Sequence, residues 1–390
     1  MLNFPFLKPQ INKMVEEKKG FEGKFIEKIN LANVELELRS RQWQEFSKKV
    51  KLSKTSWLLP GISSPLNITY TLPPRPSSYT VLASDGSQIF PDRHEALPCY
   101  LINIGSVILH YGTDGKAHLR SYPKFFYGDE DRLTTWDGRM IPADGEVISE
   151  KRALMEFEEI LRLLEECENK DNTLALCDGT LIFWRLEGTP SDFKGEIMNS
   201  FINVLDKLKT LRVPIAGYIS YPGSIDIRNA LRVGLCPEEI SYCSQCPYTE
   251  LPELPCSPIQ GVTDRILFSR VLEPGERSPL FESSSKILEL YGEHHIFFFY
   301  LNVGEEISRV EVPKWVAQNS DLLNLVHTLI LDQAKKGNGY PTALIEAHEQ
   351  AVVKAKDRDF FYELVREALV RSDFKVTLSR KGLSKRSPGV

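Results

Sequence analysis

Long apolar runs are missing from this 390-residue sequence. No stretch reaches the length of a membrane span, and the start, Met1-Leu2-Asn3-Phe4-Pro5, lacks a basic region followed by a long apolar core. The expectation is a cytoplasmic protein with no membrane partner. A glycine-rich phosphate loop with its lysine is also missing, which excludes ATP hydrolysis of that kind by this chain itself. Nor is there an excess of positive charge: 48 Lys and Arg against 53 Asp and Glu leave a net −5. A polyanionic partner therefore has to meet a local basic surface or an acidic site neutralised by metal. Cysteine is scarce and odd in number, at seven. Cys99, Cys167 and Cys177 sit scattered in patterned apolar or helical stretches and read as reduced core residues. The signal Asn67-Ile68-Thr69 has the form of a glycosylation site, which carries no meaning in the cytoplasm.

What is present is ordinary globular material, 42% hydrophobic and 26% charged, enough for one large or two moderate domains. Residues from about 11 to 51 are charged, with Phe25, Ile26, Ile29, Leu31, Val34, Leu36 and Leu38 at helical spacing, and residues 1–57 read as an N-terminal helical arm. Residues 58–78, with Pro60, Pro65, Pro73, Pro74 and Pro76, read as an extended linker. A compact α/β domain then covers 79–371, interrupted at about 234–260 by a cysteine-containing insertion. Residues 372–390, with Arg380, Lys381, Lys385 and Arg386 among Ser, Gly and Pro, read as a basic flexible tail. No internal repeat is visible. The insertion holds Cys236, Cys243, Cys246 and Cys256, and its Cys243-Ser244-Gln245-Cys246 spacing suits zinc or an iron–sulfur cluster, although the flanking gaps are irregular and a proline-rich surface insertion with free thiols fits as well.

Within the compact domain, Val81-Leu82-Ala83-Ser84-Asp85-Gly86-Ser87 reads as an apolar strand ending in Asp-Gly-Ser, and Leu174-Ala175-Leu176-Cys177-Asp178-Gly179-Thr180 repeats that pattern. Singly, each is an Asp-Gly turn opening a loop. Together they deliver two carboxylates to one sheet edge, and carboxylate oxygens suit magnesium or manganese. Between them the expected order is strand 80–90, strand 99–111, the turn Gly112-Thr113-Asp114-Gly115, strand 117–126 and helix 149–168. Strand 173–183, helix 192–211 and strand 213–220 follow, with a short helix at 225–233. After the cysteine segment come a helix at 262–272, strands 296–302 and 307–313, and helices 317–336, 340–356 and 359–369. His294 and His295 stand before the apolar run that opens at Ile296 and read as a strand cap.

A three-strand meander followed by helix, strand, helix and strand resembles the ribonuclease-H-like fold, a mixed sheet flanked by helices. In its nucleases, carboxylates from the first strand, first helix and fourth strand, with a last helix, hold two metals. Asp85, Glu156 and Asp178 fill that plan, and His348 lies on a late helix in Gly339-Tyr340-Pro341-Thr342-Ala343-Leu344-Ile345-Glu346-Ala347-His348-Glu349. With Gly217-Tyr218-Ile219-Ser220-Tyr221-Pro222 and Arg309-Val310-Glu311-Val312-Pro313, these motifs are similar to those of the NurA nucleases over roughly residues 79–369. The resemblance implies metal-binding and catalytic roles for Asp85, Glu156, Asp178 and His348, and an active-site role for Tyr340. Glu150, Glu158 and Glu159 are rival carboxylates on the same helix. Tyr340 otherwise reads as an aromatic before Pro341 in a first helical turn.

Phosphodiester hydrolysis by metal ions held among these carboxylates follows as the expected chemistry, with Asp85 bridging two ions. A histidine ligand suits manganese, the preference the resemblance implies, and magnesium is the other candidate. The resemblance further implies single-strand endonuclease and 5′-to-3′ exonuclease activity in DNA end resection and double-strand-break repair. It implies a hexameric HerA-type DNA-translocating ATPase as partner and a homodimer around a DNA channel. Lys124, Phe125, Phe126 and Tyr127 fit a nucleic-acid path and a β-strand face equally. Competing expectations are a non-catalytic DNA-processing adaptor and a metal-dependent phosphatase on small nucleotides.

Overall fold

The computed structural model describes residues 2–92, 95, 97, 99–127, 133–134, 140–141, 145–189 and 191–373. The tail expected over 372–390 lies outside the described residues from position 374 onward. In chain order the first elements are α1 (Phe4–Arg41), α2 (Trp43–Leu52), β1 (Gly61–Ile62), β2 (Tyr79–Ile89), β3 (Tyr100–Tyr111) and β4 (Lys116–Phe126). Two short strands, β5 (Leu133–Thr134) and β6 (Met140–Ile141), precede α3 (Gly145–Glu166), β7 (Thr173–Asp178), α4 (Ser191–Thr210) and β8 (Ile215–Ile219). The remainder comprises α5 (Asp226–Leu235), α6 (Asp264–Phe268), β9 (Phe281–Glu282), β10 (Ile296–Asn302) and β11 (Ile307–Pro313), then α7 (Lys314–Ala317), α8 (Ser320–Lys336), α9 (Thr342–Ala351) and α10 (Ala355–Arg371). Among the described residues no helix is long and apolar enough to cross a membrane.

The chain forms two compact units, one from residues 1–72, 219–286 and 295–311, the other from 73–218, 287–294 and 312–390. In the first, α1 begins at Asn3, whose side chain accepts the Phe6 N–H, as a helix start requires. Its inward stripe is Ile29, Ala32 and Leu36, positions three and four apart that share one face. The other apolar residues expected in that stripe, Ile26, Leu31, Val34 and Leu38, are exposed. The stripe packs in a core with Phe46, Val50, Leu231, Phe268, Phe281, Phe298 and Tyr300, each such burial contributing about 1.5–3 kcal/mol. The strands run in the order β1-β9-β10-β11. The helix expected over 262–272 is only the five-residue α6. Its first residue, Asp264, is fully buried and accepts the N–H groups of Ile227 and Arg228 and the hydroxyl of Tyr300. It thereby caps the start of α5 from a distant part of the chain.

The second unit is built on the order β4-β3-β2-β7-β8. β2, β3 and β4 form the antiparallel meander and β7 and β8 add in parallel, so the mixed sheet expected from the sequence is present. The Asp114-Gly115 pair sits in the β3–β4 connection, where it turns the chain. β7 is shorter than the expected strand 173–183. It stops at Asp178 because Gly179 takes φ +93°, outside the strand region.

Two helices sandwich this sheet, and glycines set how closely. A Cβ on Gly86 would meet Arg152 and Glu156 of α3, whereas one on Gly105 would lie 2.3 Å from the Ala347 carbonyl oxygen and the Ala351 nitrogen of α9. Asp85 is paired with Gly105 and Gly86 with Ile104. Alternation along β2 therefore turns Asp85 to the α9 face and Gly86 to the α3 face. On the α3 side Ile102, Ile104, Tyr100 and Phe126 pack against Ile148. On the α9 side Asn103 Nδ2 donates to the Ala351 carbonyl at 2.8 Å, and Ser121 Oγ holds Asn103 Oδ1 at 2.9 Å, satisfying the helix C-terminus from the sheet. The expected helices 340–356 and 359–369 are redrawn as α9 and α10, with the break at residues 352–354.

Gly105→Ala should cost at least about 1–3 kcal/mol, because the methyl has backbone rather than a flexible side chain in front of it. Gly188→Ala, with nothing within 4 Å of the added carbon, serves as the control. Equal denaturant midpoints for the two variants would refute the close helix-on-sheet approach.

Candidate active site

Asp85 lies inside β2 rather than at its end. The strand continues to Ile89, still paired to β3, close to the expected bounds 80–90, so that Asp-Gly-Ser does not end it. What ends at this level is the neighbouring strand. The parallel register matches Ser84 to Cys177, so the next positions, Asp85 and Asp178, stand side by side where β7 stops, on the face covered by α9.

The segment around α9 brings the other two expected residues to this pair. His348 Nδ1 lies 2.8 Å from Asp85 Oδ2, while Asp85 Oδ1 accepts the Gly86 N–H at 2.8 Å. Both oxygens of Asp85 are thus engaged and the carboxylate plane is fixed. The Tyr340 hydroxyl donates to Asp178 Oδ1 at 2.7 Å, and its ring meets Tyr218 edge-on with centroids 5.5 Å apart. Tyr340 therefore orients Asp178 rather than serving only as a helix-start aromatic.

Glu156 approaches from the opposite face. It lies beside Gly86 and is held by Arg152, whose Nη1 is 2.5 Å from Glu156 Oε1, 2.8 Å from the Gly86 carbonyl and 3.9 Å from Asp85 Oδ1. Of the rival carboxylates, Glu150 is buried nearly two turns earlier, Glu158 faces solvent and Glu159 is clamped by Arg162 at 2.5 Å. Arg152 was legible only as part of the run before Glu156; its place between the two acids comes from the fold. Gly105 and Asn103, which seat α9, carried one sequence signal, a glycine inside a strand. Phe126 is stacked on Tyr100 in the core, so of the expected aromatic path only Phe125 and Tyr127 are exposed.

The electrostatics follow from this crowding. Burial, together with the like charges of Asp85 and Asp178 and against the pull of Arg152, pushes the Glu156 carboxyl up to about 8. Burial also raises Asp178, opposed by the Tyr340 hydroxyl and reinforced by Asp85. Burial, then the Asp178 charge, raises the Tyr340 phenol far above its ordinary value, so it remains a donor. Three carboxylates and an imidazole form an oxygen and nitrogen donor set that suits a hard divalent cation. The repulsion among them is what such a cation relieves. Their donor atoms stand apart: among the described residues the trio with ligand atoms all within 4.8 Å of one another is Asp206, Glu293 and His294. There the buried His294 pairs with Asp206 at 2.9 Å, and Lys209 already neutralises Glu293 at 2.5 Å.

A family model described as the NurA domain matches residues 79–353. No curated protein matches the chain. Among solved structures, the fold is similar to the crystal structure of the NurA nuclease from Sulfolobus solfataricus, with 14% identity, 95% of this chain and 98% of that chain covered, and a TM-score of 0.52.

A carboxyl whose folded value is raised from 4.5 to about 8 keeps a proton that the unfolded chain releases, so its contribution to stability falls as pH rises through that window. In chelator-treated protein, Glu156→Gln should therefore gain stability over wild type progressively from pH 5 to pH 8, read from denaturant midpoints. A wild-type-minus-variant difference that is flat with pH would show Glu156 to be ordinary.

Proposed function

The chain belongs to the NurA domain family, and on that premise we propose that it is a divalent-metal-dependent deoxyribonuclease. The observation that carries this reading is the juxtaposition of Asp85 and Asp178 on adjacent parallel strands, with His348 and Tyr340 brought to the same pair from the α9 segment. Asp85, Asp178, Glu156 and His348 are the residues that would hold the metal. When bound, manganese or magnesium supplies a water activated near neutral pH and positive charge for the leaving oxygen.

The chain's own residues prepare that site. The Gly86 N–H and His348 fix both Asp85 oxygens, and the Tyr340 hydroxyl fixes one oxygen of Asp178, leaving the other free to ligate. His348, with its side chain 57% exposed and Nδ1 already engaged, presents Nε2 outward toward substrate or ion. Arg152, shared by Glu156 and the Gly86 carbonyl, balances the acidic cluster from the α3 side and keeps Glu156 near the strand. The exposed Phe125 and Tyr127 offer stacking faces for bases. The reading extends, through the family, to manganese as the ion, to single-strand endonuclease and 5′-to-3′ exonuclease activity, and to end resection in double-strand-break repair. It extends likewise to a homodimer working with a HerA-type ATPase.

End-labelled single- and double-stranded DNA, incubated with manganese, should be cut by wild type and spared by Asp85→Asn and Asp178→Asn. Tyr340→Phe, which removes only the hydroxyl that orients Asp178, should lose about 10–100-fold. Undiminished cutting by the folded Asp variants would sink the site, and inactive wild type, with its cognate ATPase present, would sink the activity.

A further inference from the structure

The unit built from residues 1–72, 219–286 and 295–311 contains a second constellation that nuclease chemistry does not use. From Cys236 to Cys256 no apolar side chain is buried; Ser241 is the buried residue of that stretch. Its regular structure is one 3₁₀ turn, Cys243–Gln245. Such a segment gains too little from apolar burial to offset the entropy of ordering it. Yet its path is tied down: Lys54 N–H donates to the Ser241 carbonyl at 2.8 Å, Cys243 N–H to the Lys54 carbonyl at 3.0 Å, and Lys49 Nζ to the Cys236 carbonyl at 2.7 Å. Arg232 donates to the Cys256 carbonyl at 3.1 Å while its guanidinium lies over the Trp57 ring at 4.2 Å.

The result of this path is that Cys236, Cys243, Cys246 and Cys256 all line one cavity of about 40 Å³. All four are half-buried free thiols. Arg232, which lines the same cavity, donates through Nη2 to Cys256 Sγ at 3.6 Å. No three of these sulfurs are within 4.8 Å of one another, and an ion would draw them in.

We propose that Cys236, Cys243, Cys246 and Cys256 bind one zinc ion as a closed, structural tetrathiolate site. Four thiolates complete a tetrahedron with no open position, which suits a structural rather than a catalytic ion. The Cys243-Ser244-Gln245-Cys246 turn forms the knuckle, and the cavity holds a single ion rather than a multi-iron cluster with its bridging sulfides. Metal binding supplies the cross-link that apolar burial in this stretch does not. Ligation releases thiol protons and leaves Cys99, Cys167 and Cys177 as the remaining thiols.

Elemental analysis of the full chain, purified without added metal, should find about one zinc per chain. Cobalt(II) substitution should give the intense thiolate-to-cobalt absorption and the visible bands of a tetrahedral site. Cys243→Ser and Cys256→Ser should lose the metal, whereas Asp85→Asn and Asp178→Asn should retain it. Wild type decides the matter even where the cysteine variants misfold: seven freely titrating thiols with no zinc, or disulfides among the four, overturn the proposal. Iron with acid-labile sulfide overturns the assignment to zinc, and zinc retained by folded Cys243→Ser overturns the ligand set.

Discussion

The close approach of α9 to β3 at Gly105 is the constraint on which the site depends. A helix seated on a glycine, with its C-terminus satisfied by Asn103, stands nearer the sheet than side chains allow elsewhere. Because Gly105 is the register partner of Asp85, that nearness is what lets His348 reach the Asp85 carboxylate from the helix above. The residues on either side of the contact are rigid backbone, so the imidazole and the carboxylate hold their geometry without help from long, entropically costly side chains.

Charge is arranged as tightly as packing. Asp85 and Asp178 share a face and Glu156 lies behind the strand, so three acids crowd the place where β7 stops beside β2. Arg152 reaches around the edge of Gly86 to two of them. A guanidinium cannot be deprotonated and cannot ligate a metal, so it lowers the cost of gathering carboxylates without occupying a coordination position. Burial first, and then the charge of the neighbouring acids, still holds the proton affinities of Glu156 and Asp178 above their ordinary values.

Much of this was legible in the sequence because local signals agreed with the global pattern. The meander announced itself through apolar strands and the Asp114-Gly115 turn, and β7 through a short apolar run into Asp-Gly. The strand over 80–90 was legible as an apolar run, whereas the place of Asp85 inside it rather than at its end was not, since a strand buried on both faces carries no alternation to show where it ends. β3 continues to pair with β2 past Gly86, and that partner is invisible to a reading of residues 79–89 alone. Arg152 hid for a related reason: an Arg and Glu four apart on a helix look like a surface pair until the strand beside them is known. The convergence of Cys236 and Cys256 with the Cys243–Gln245 turn had no regular spacing to betray it, because it is produced by hydrogen bonds to Lys49, Lys54 and Arg232 rather than by sequence proximity.

The parallel pairing of β2 with β7 also dictates when the site comes into being. Parallel neighbours need a crossover, and here β3, β4, α3 and the intervening loops must all be threaded before Asp85 and Asp178 meet. His348 and Tyr340 arrive later still along the chain. A nascent polypeptide therefore lacks the partners of the acidic pair until synthesis has passed α9, and local opening of that one helix in the finished protein would remove them again. The meeting of Asp85 and Asp178 with His348 and Tyr340 is in this way tied to the docking of α9.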